Sequence, residues 1–315
     1  MSGQFEFGPY TAFRVHDGKA RIIHAPPFRQ RVVHHALALV AGPALEKGAV
    51  PHSYACRRGL GHAAALRRAR QEVDSQEWFL HLDVASYYDS IPHDRLYGAL
   101  ERRFRERRLL ALWARLLDSY HVAPGHGLPM GALTSQWLGN FYLDPVDHWA
   151  LDTCGARHYA RYMDDLAAWG EYGALRSLRL GLIAQLESRG LRVKHGGVLN
   201  RCVLGMTYLG FTLRPGRAHL HARGRKRLRQ KVAQLRRAFR SGTLNERDLQ
   251  IRGTALFAWA QQAGPGDSVW RRRWLAGRDD FGETLAEPAP DARGQLYESG
   301  RQLPQRLIHH VLELW

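Results

Sequence analysis

The stretch that decides the fold is His158-Tyr-Ala-Arg-Tyr162-Met-Asp164-Asp165-Leu-Ala-Ala-Trp169. Two short runs of apolar and aromatic residues flank a pair of adjacent acids, a pattern typical of a strand, a tight turn and a second strand. Neighbouring carboxylates repel each other, and a strong cation relieves that repulsion. Hard divalent cations such as Mg²⁺ take oxygen ligands. The stretch predicts a hairpin with a metal site at its turn, whereas an Asp-Asp pair taken alone indicates a solvated surface turn.

A further acid ends another apolar run, Trp78-Phe-Leu-His-Leu-Asp83. A turn containing Pro92 follows, and a helical pattern begins near Asp94. Burying an unpaired carboxylate at the end of a strand is costly, so Asp83 needs a partner. A metal shared with Asp164 and Asp165 would supply one. A helix N-cap or a salt bridge to an arginine is the alternative.

With these residues the chain resembles a reverse transcriptase, an RNA-directed DNA polymerase. Asp83 matches the first catalytic aspartate of the family's palm, and Tyr162-Met-Asp-Asp165 matches the palm hairpin with the second and third. The resemblance implies an α+β right-hand polymerase fold with fingers, an antiparallel-sheet palm and a helical thumb. It also implies two Mg²⁺ ions, with Mn²⁺ as a substitute, held by Asp83, Val84, Asp164 and Asp165.

Four more blocks follow the order of the family. Arg14–Leu37 resembles the fingers segment that meets the incoming triphosphate, and Ser53–Gly59 is similar to the next fingers block. Gly127–Gln136 matches the loop and helix beneath the template and nucleotide. The primer grip would be Tyr208, Leu209, Gly210 and Phe211. The nucleotide-binding residues would be Lys19, Arg21, Arg31, Tyr88, Met130, Gly131 and Gln136.

Three of these residue types suit their expected roles. Arginine binds phosphate through a planar, permanently charged fork, although Arg21 or Arg31 taken alone would more often be a solvated side chain. Tyr88 lies where the family places a ring that would collide with a 2′-hydroxyl, which implies a preference for dNTPs; a core tyrosine is the alternative. Gly131 permits close approach of the backbone to the nucleotide, unless it is a plain turn glycine.

The residues around Gly131 narrow the resemblance to one group of reverse transcriptases. Most reverse transcriptases carry Gln before the glycine and Ser-Pro at the end of that block, whereas this chain has Met130 and then Ser135-Gln136. The pattern resembles the polymerases of diversity-generating retroelements, which copy RNA with frequent misincorporation opposite adenine. An apolar side chain there removes a hydrogen-bonding contact near the nascent pair. An antiphage defence reverse transcriptase is one alternative, and a non-catalytic polymerase-like RNA-binding scaffold is another.

The segment after the hairpin departs from the family. Many members have a lysine there, a proposed proton donor to pyrophosphate, and the corresponding place here holds glycine. Lys194 or His195 could substitute, and either could equally be a strand-surface residue.

The charge of the chain favours polyanionic partners. There are 46 Lys and Arg against 29 Asp and Glu, a formal net charge of +17. Such a field attracts nucleic acid with an affinity that weakens as salt rises. The expected partners are an RNA template, a DNA or RNA primer and dNTPs. By resemblance to the retroelement enzymes, a structured RNA and a small basic accessory protein join them.

Length and composition fit one large or two modest domains without a membrane segment. The chain has 315 residues and no apolar run of the roughly 18 residues that a membrane helix needs. Its start lacks a signal-peptide core. Three widely separated cysteines show neither disulfide nor zinc spacing. We therefore expect a cytoplasmic protein with reduced thiols.

The predicted division is fingers over residues 1–75, palm over 76–221, a helical thumb over 222–278, and a linker with a C-terminal helix over 279–315. Helices are predicted at Arg31–Leu45, Arg95–Tyr120, Ser135–Leu151, Gly173–Arg189 and Gln302–Trp315. In the thumb, Leu228, Val232, Leu235 and Phe239 recur at helical spacing among cations. One face of that helix could pack while the other follows a phosphate backbone, although a solvated basic helix would show the same pattern.

Overall fold

The computed structural model describes residues 5–16, 20–260 and 262. The chain divides into two compact units, Met1–Met206 and Thr207–Trp315. The first unit begins with an antiparallel hairpin of β1, Thr11–His16, and β2, Ala20–Ala25. Helix α1, Phe28–Glu46, follows directly, and α2 spans His62–Ser75. The predicted linker and C-terminal helix over 279–315 lie outside the described residues.

A four-stranded sheet positions the acids. Its strands are β3, Trp78–Asp83, β4, Tyr159–Tyr162, β5, Asp165–Gly170, and β6, Val198–Arg201. They lie in the order β4-β5-β3-β6, and each pair is antiparallel. Strands β4 and β5 are almost entirely buried, which explains their continuous apolar runs.

The helices of this unit pack with the sheet around one core. They are α3, Tyr87–Ser90, α4, His93–Arg103, α5, Arg107–Asp118, α6, Leu133–His148, and α7, Tyr172–Glu187. The core includes Leu82 of β3, Leu138 and Val146 of α6, and Leu182 of α7. Helix α6 contributes several buried residues to this core and continues into a π-turn at Trp149–Thr153.

Two predicted helix boundaries were wrong. The sequence pattern gives one helix over Arg95–Tyr120, but α4 ends at Arg103 because Phe104 is extended and packs against the core. The Glu106 side chain then accepts a hydrogen bond from the backbone N–H of Arg108 and caps α5. Helix α1 begins three residues before its predicted start, directly after the extended Pro27.

The second unit contains most of a three-stranded sheet and two helices. Strands β7, Met206–Tyr208, β8, Phe211–Arg214, and β9, Arg217–Leu220, lie in that order. Helix α8 spans Ala222–Arg240, and α9 spans Glu246–Ala260. The predicted packing face of α8 is correct in part: Leu228 and Val232 are buried, whereas Phe239 is exposed. Among the residues that the structure describes, no helix is long and apolar enough to cross a membrane.

Candidate active site

The three predicted aspartates lie side by side on the central strands. Asp83 ends β3 and is the direct cross-strand partner of Asp165, which begins β5. Asp164 precedes Asp165 in the turn, and its carbonyl oxygen accepts a hydrogen bond of 3.3 Å from the backbone N–H of Val84. The antiparallel register therefore brings together acids that are about eighty residues apart in the chain.

The turn that carries Asp164 has a constrained backbone. Tyr162 pairs with Asp165, so Met163 and Asp164 form a two-residue connection. Met163 has a φ of 53°, a left-handed conformation that costs a non-glycine residue roughly 1 kcal/mol or more. The guanidinium of Arg161 donates a 3.1 Å hydrogen bond to the Met163 carbonyl oxygen. The side chain of Arg161 on β4 thus stabilises the turn that follows this strand.

Each aspartate has a different environment. Both carboxylate oxygens of Asp83 accept hydrogen bonds from Lys194 Nζ, at 2.7 and 2.6 Å. Asp165 pairs with His81 Nε2 at 2.9 Å. Burial raises the pKa of Asp164 to about 6, and the neighbouring charges of Asp165 and Asp83 add to that shift. Asp164 is therefore the aspartate whose charge solvent screens least, whereas Asp83 and Asp165 are partly exposed and each has a partner.

The donor chemistry of this cluster fits a hard divalent cation. Three aspartates lie at adjacent backbone positions, and burial, followed by the charges of Asp165 and Asp83, raises the pKa of Asp164. Carboxylate oxygens are the ligands that hard divalent cations prefer. Within the described ranges, however, no group of three or more His, Cys, Asp or Glu side chains is arranged to hold an ion. The side chains of Asp83 and Asp165 turn toward Lys194 and His81 instead.

Tyr88 lies beside the aspartate turn. Its backbone carbonyl oxygen accepts a hydrogen bond of 2.8 Å from the N–H of Leu128. Burial raises the pKa of the Tyr88 hydroxyl, and the nearby Cys56 and Asp164 add to the shift. Its neighbour Tyr87 is fully buried and donates a hydrogen bond to the Gly139 carbonyl oxygen of α6. Tyr87 is therefore the more deeply buried of the pair, and Tyr88 is partly buried and packs against the same core.

The predicted triphosphate ligands are solvent-facing where the structure describes them. Arg21 is exposed on β2, and Arg31 is exposed on the first turns of α1. The Arg31 guanidinium lies 5.6 Å from the ring centroid of Phe28. Lys19 lies outside the described residues. Both exposed guanidinium groups are accessible to an anion from solvent.

The block before α6 contacts the fingers hairpin. The Met130 carbonyl oxygen accepts a 2.7 Å hydrogen bond from the N–H of His24. Gly131 has a φ of 118°, and a Cβ atom there would lie 2.7 Å from Cγ2 of Ile23. Glycine is thus required by its backbone conformation and by β2, independently of any nucleotide. Gln136 is exposed, and its Oε1 accepts a hydrogen bond of 3.4 Å from the Cys56 thiol.

The predicted primer grip forms a second tight hairpin. Tyr208 ends β7 and Phe211 begins β8, and both side chains are buried. Leu209 and Gly210 between them have positive φ values of 48° and 84°. Two consecutive residues of this kind are typical of a type I′ turn. These residues belong to the second unit.

Sequence reasoning missed a buried ion pair beneath the turn. Arg161 and Asp147 are fully buried, and Arg161 Nε lies 2.8 Å from each Asp147 carboxylate oxygen. Burial raises the pKa of Asp144, one turn earlier on α6, to about 7 despite the nearby Arg161. The available signal was an arginine inside an otherwise apolar strand and two acids spaced three residues apart on a mostly apolar helix.

Comparison with known proteins agrees with this geometry. A family model described as reverse transcriptase (RNA-dependent DNA polymerase) matches residues 14–213. Protein YkfC of Escherichia coli is 28% identical over 164 residues, which cover 47% of this chain and 42% of that protein. The group II intron-encoded protein LtrA of Lactococcus lactis is 24% identical over 140 residues, 42% of this chain and 23% of LtrA.

The curated relatives extend well beyond the matched region. The putative COX1/OXI3 intron 1 protein of Saccharomyces cerevisiae is 26% identical over 161 residues, 48% of this chain but only 19% of that protein. This chain thus spans less than half the length of these relatives.

Solved structures support the fold. A Candida tropicalis telomerase in complex with a fragment of telomeric RNA has a TM-score of 0.52 at 11% identity, over 87% of this chain and 56% of that one. The predicted α+β right-hand polymerase fold is confirmed. The match over most of the first unit and the convergence of Asp83, Asp164 and Asp165 lead to one conclusion: this chain belongs to the reverse transcriptase (RNA-dependent DNA polymerase) family.

Proposed function

We propose that this chain synthesises DNA on an RNA template by two-metal nucleotidyl transfer. The observation that carries the proposal is the position of Asp83 opposite Asp165, with Asp164 in the adjoining turn. Phosphoryl transfer is catalysed mainly by positioning and charge stabilisation. Two Mg²⁺ ions, when bound, would stabilise the charge on the attacking and leaving oxygens. Asp83 and Asp164 would hold them, with Asp165 and the Val84 carbonyl close by.

The remaining residues would hold the reactants while the primer 3′-oxygen attacks the α-phosphate and pyrophosphate leaves. Arg21, Arg31 and Lys19 would bind the triphosphate, and Tyr88 would exclude a 2′-hydroxyl. The Tyr208–Phe211 hairpin would contact the primer. Lys194 is the better candidate for the proton donor to pyrophosphate, because it already reaches the aspartates, whereas His195 is exposed.

Primer extension on homopolymer RNA with Mg²⁺ tests the proposal. We expect wild-type protein to extend the primer and Asp164→Ala to reduce the rate by about 1,000-fold or more, as removal of a central catalytic group does elsewhere. The exposed Asp118→Ala at the end of α5 is the matched control and should retain activity. If wild type and Asp164→Ala were equally inert, the RNA-binding scaffold would be the better reading.

Within this activity we propose error-prone copying of the diversity-generating retroelement type. Met130 supports it, because an apolar side chain beside Gly131 offers no hydrogen bond to the nascent pair. Sequencing of products should show misincorporation concentrated opposite template adenine. Met130→Gln should lower that frequency, and Met130→Leu should leave it unchanged. Equal error frequencies in all three proteins would reject the subtype.

Two other roles remain candidates for the same chemistry. The similarity to LtrA and to the nuclear intron maturase 4 of Arabidopsis thaliana favours an intron-associated reverse transcriptase. An antiphage defence enzyme is the other. The RNA that co-purifies with the protein distinguishes these roles. Intron RNA would support the intron-associated enzyme, and a template repeat with a variable target would support the retroelement enzyme. Strand synthesis only during phage infection supports the defence role.

A further inference from the structure

We infer that Arg161, anchored by Asp147, positions the Met163–Asp164 turn so that its carboxylate can bind a divalent cation. The inference rests on the proposed function, since it concerns the aspartates of the same site. Arg161 does not face that site. It acts through the backbone of the turn, and is therefore a positioning residue rather than a catalytic one.

The first support is the geometry of the guanidinium. Arg161 is completely buried, and its Nη2 atom lies 2.6 Å from Asp147 Oδ2, in addition to the two contacts of Nε. Its Nη1 atom donates to the side-chain oxygen of Asn140 and to the Met163 carbonyl oxygen, both at 3.1 Å. The rigid fork of arginine thus joins helix α6 to the turn in one fixed arrangement.

The second support is that the anchor is itself fixed. Asp147 is fully buried on α6 and also accepts a 2.7 Å hydrogen bond from the Tyr159 hydroxyl. Asn140, two turns earlier, donates to the Ala55 carbonyl oxygen at 2.7 Å. Helix α6 also receives the hydrogen bond from Tyr87, the residue next to the proposed sugar-contacting Tyr88. One helix therefore supports both the aspartate turn and the segment that follows Asp83.

The third support is the conformation that the hydrogen bond holds. Met163 adopts a left-handed backbone that methionine does not favour. Its carbonyl group forms the peptide bond to Asp164, so the hydrogen bond from Arg161 fixes the plane from which the Asp164 side chain departs. Mg²⁺ requires a near-ideal octahedral arrangement of its ligands, so small displacements of one ligand weaken its binding. Strain at the turn is thus maintained by the surrounding structure at a proposed functional site.

The competing explanation is that the Arg161–Asp147 ion pair only stabilises the fold. Measuring folding stability together with cation affinity distinguishes this explanation from a positioning role. A buried ion pair often contributes little to folding, since exchange for uncharged residues of similar volume is frequently neutral. The double variant Arg161→Met/Asp147→Asn should therefore fold. It keeps the volume of the arginine stem and an acceptor for Tyr159, but it removes the donor to Met163.

The experiment measures cation binding directly. Mn²⁺ is titrated into each full-length protein and followed by electron paramagnetic resonance, alongside thermal unfolding and the Mg²⁺ midpoint of primer extension. For Arg161→Met/Asp147→Asn we expect the melting temperature to stay near that of wild type, while the Mn²⁺ Kd and the Mg²⁺ midpoint rise about 10- to 100-fold. Arg161→Lys keeps the positive charge but loses the forked guanidinium group. Its Mn²⁺ Kd should lie between those of wild type and the double variant.

The control breaks the ion pairs of another buried acid, Glu72, whose partners Arg68 and His158 are partly exposed, at the opposite end of the same strand. Glu72 is buried and contacts Arg68 at 2.7 Å and His158, just before β4, at 2.8 Å. Glu72→Gln should lower the melting temperature and leave the Mn²⁺ Kd unchanged. A loss of Mn²⁺ affinity in this control equal to that of the double variant would show that general destabilisation is responsible, and would overturn the inference.

The remaining outcomes are also decisive. A folded double variant with wild-type Mn²⁺ affinity overturns the inference. If the double variant does not fold, Asn140→Ala takes its place, which removes one side-chain acceptor of Arg161 together with the donor to the Ala55 carbonyl oxygen. An unchanged Mn²⁺ Kd in Asn140→Ala overturns the inference. If wild type fails to extend primers but the variants still weaken Mn²⁺ binding, the polymerase proposal fails and the positioning role of Arg161 stands.

Discussion

The Nζ atom of Lys194 lies 2.7 Å from one carboxylate oxygen of Asp83 and 2.6 Å from the other. Asp83 ends β3, and Lys194 comes from the segment after Val193, which bridges Val84. The ammonium group thus occupies the two oxygens that the family resemblance assigns to Mg²⁺. A divalent cation bound at the proposed site would compete with Lys194 for the same carboxylate.

This competition predicts the effect of removing the lysine. Lys194→Met should tighten Mn²⁺ binding to the protein alone by up to about fivefold, because a half-exposed pair is worth about 1 kcal/mol. Electron paramagnetic resonance measures the change. Arg192→Met, an exposed cation two residues away, is the control and should leave the Kd unchanged. Weaker binding in Lys194→Met would show that the lysine orders Asp83 for the cation rather than competing with it.

The acids themselves could be read from the sequence, but the anchor beneath them could not. One apolar run predicts a strand that ends at Asp83, and two more predict a hairpin with Asp164 and Asp165 at its turn; the structure has both. Arg161 lies in the same run, and strand periodicity alone suggests only a charged side chain that reaches solvent. Its burial depends on Asp147 of α6, a contact that local sequence pattern does not specify.

The helix boundaries show a second limit. Charged residues continue from Glu101 to Arg108, and helix propensity favours one unbroken helix there. The chain instead turns at Phe104, whose ring packs against the core. Tertiary packing overrides local propensity at this point, and the cap at Glu106 is visible in the sequence only once the break is known.

The buried Asp144 predicts a pH-dependent stability. Its pKa is raised to about 7 by burial, so the unfolded chain ionises at lower pH than the folded protein. The contribution of Asp144 to the free energy of unfolding should therefore fall as pH rises from about 4 to 7 and then level off. Asp144→Asn removes this penalty and should stabilise the protein at pH 8 by about 1 to 4 kcal/mol, with little effect near pH 4.

Urea denaturation of wild type and Asp144→Asn between pH 4 and 8.5 measures the difference. The exposed Asp118→Asn serves as the control and should shift both ends of the curve equally. If Asp144→Asn were less stable than wild type at pH 8, the carboxylate would instead be an essential partner of Arg161, from which it lies 3.4 Å away.

The basic face of α8 predicts a salt-dependent affinity for nucleic acid. Arg223, Lys226 and Arg237 are exposed and lie on one face of the helix, at spacings of three and eleven residues. Each phosphate contact contributes nearly one unit to the slope of log affinity against log salt. The triple change of these residues to Gln should lower that slope by roughly 3 for a primer–template duplex.

A charge-matched control lies at the start of α5. The triple change of the exposed Arg105, Arg107 and Arg108 to Gln removes the same net charge elsewhere on the surface. Fluorescence anisotropy over 50 to 300 mM salt compares the two. Equal slopes in both triple variants would indicate that overall charge, rather than contact by α8, attracts the nucleic acid.

Tyr88 predicts the choice between dNTPs and NTPs. Its ring borders Asp164, and its Cε1 atom would lie 3.3 Å from a Cβ at Gly139, so α6 limits how far the ring can retreat from an incoming sugar. In the proposed role, a packed ring at this place would exclude a 2′-hydroxyl by steric collision. Tyr88→Ala should therefore reduce the ratio of kcat/KM for dGTP over GTP by about 10- to 200-fold, mostly through faster use of GTP.

Tyr88→Phe is the control, because it keeps the ring and loses only the hydroxyl. It should retain the wild-type preference if the ring itself is the barrier. Single-nucleotide incorporation opposite template cytidine gives both ratios in one assay, and the melting temperatures show whether the smaller side chain disturbs the core. A preference for dGTP that survives in a folded Tyr88→Ala protein would place the sugar contact on another residue of this site.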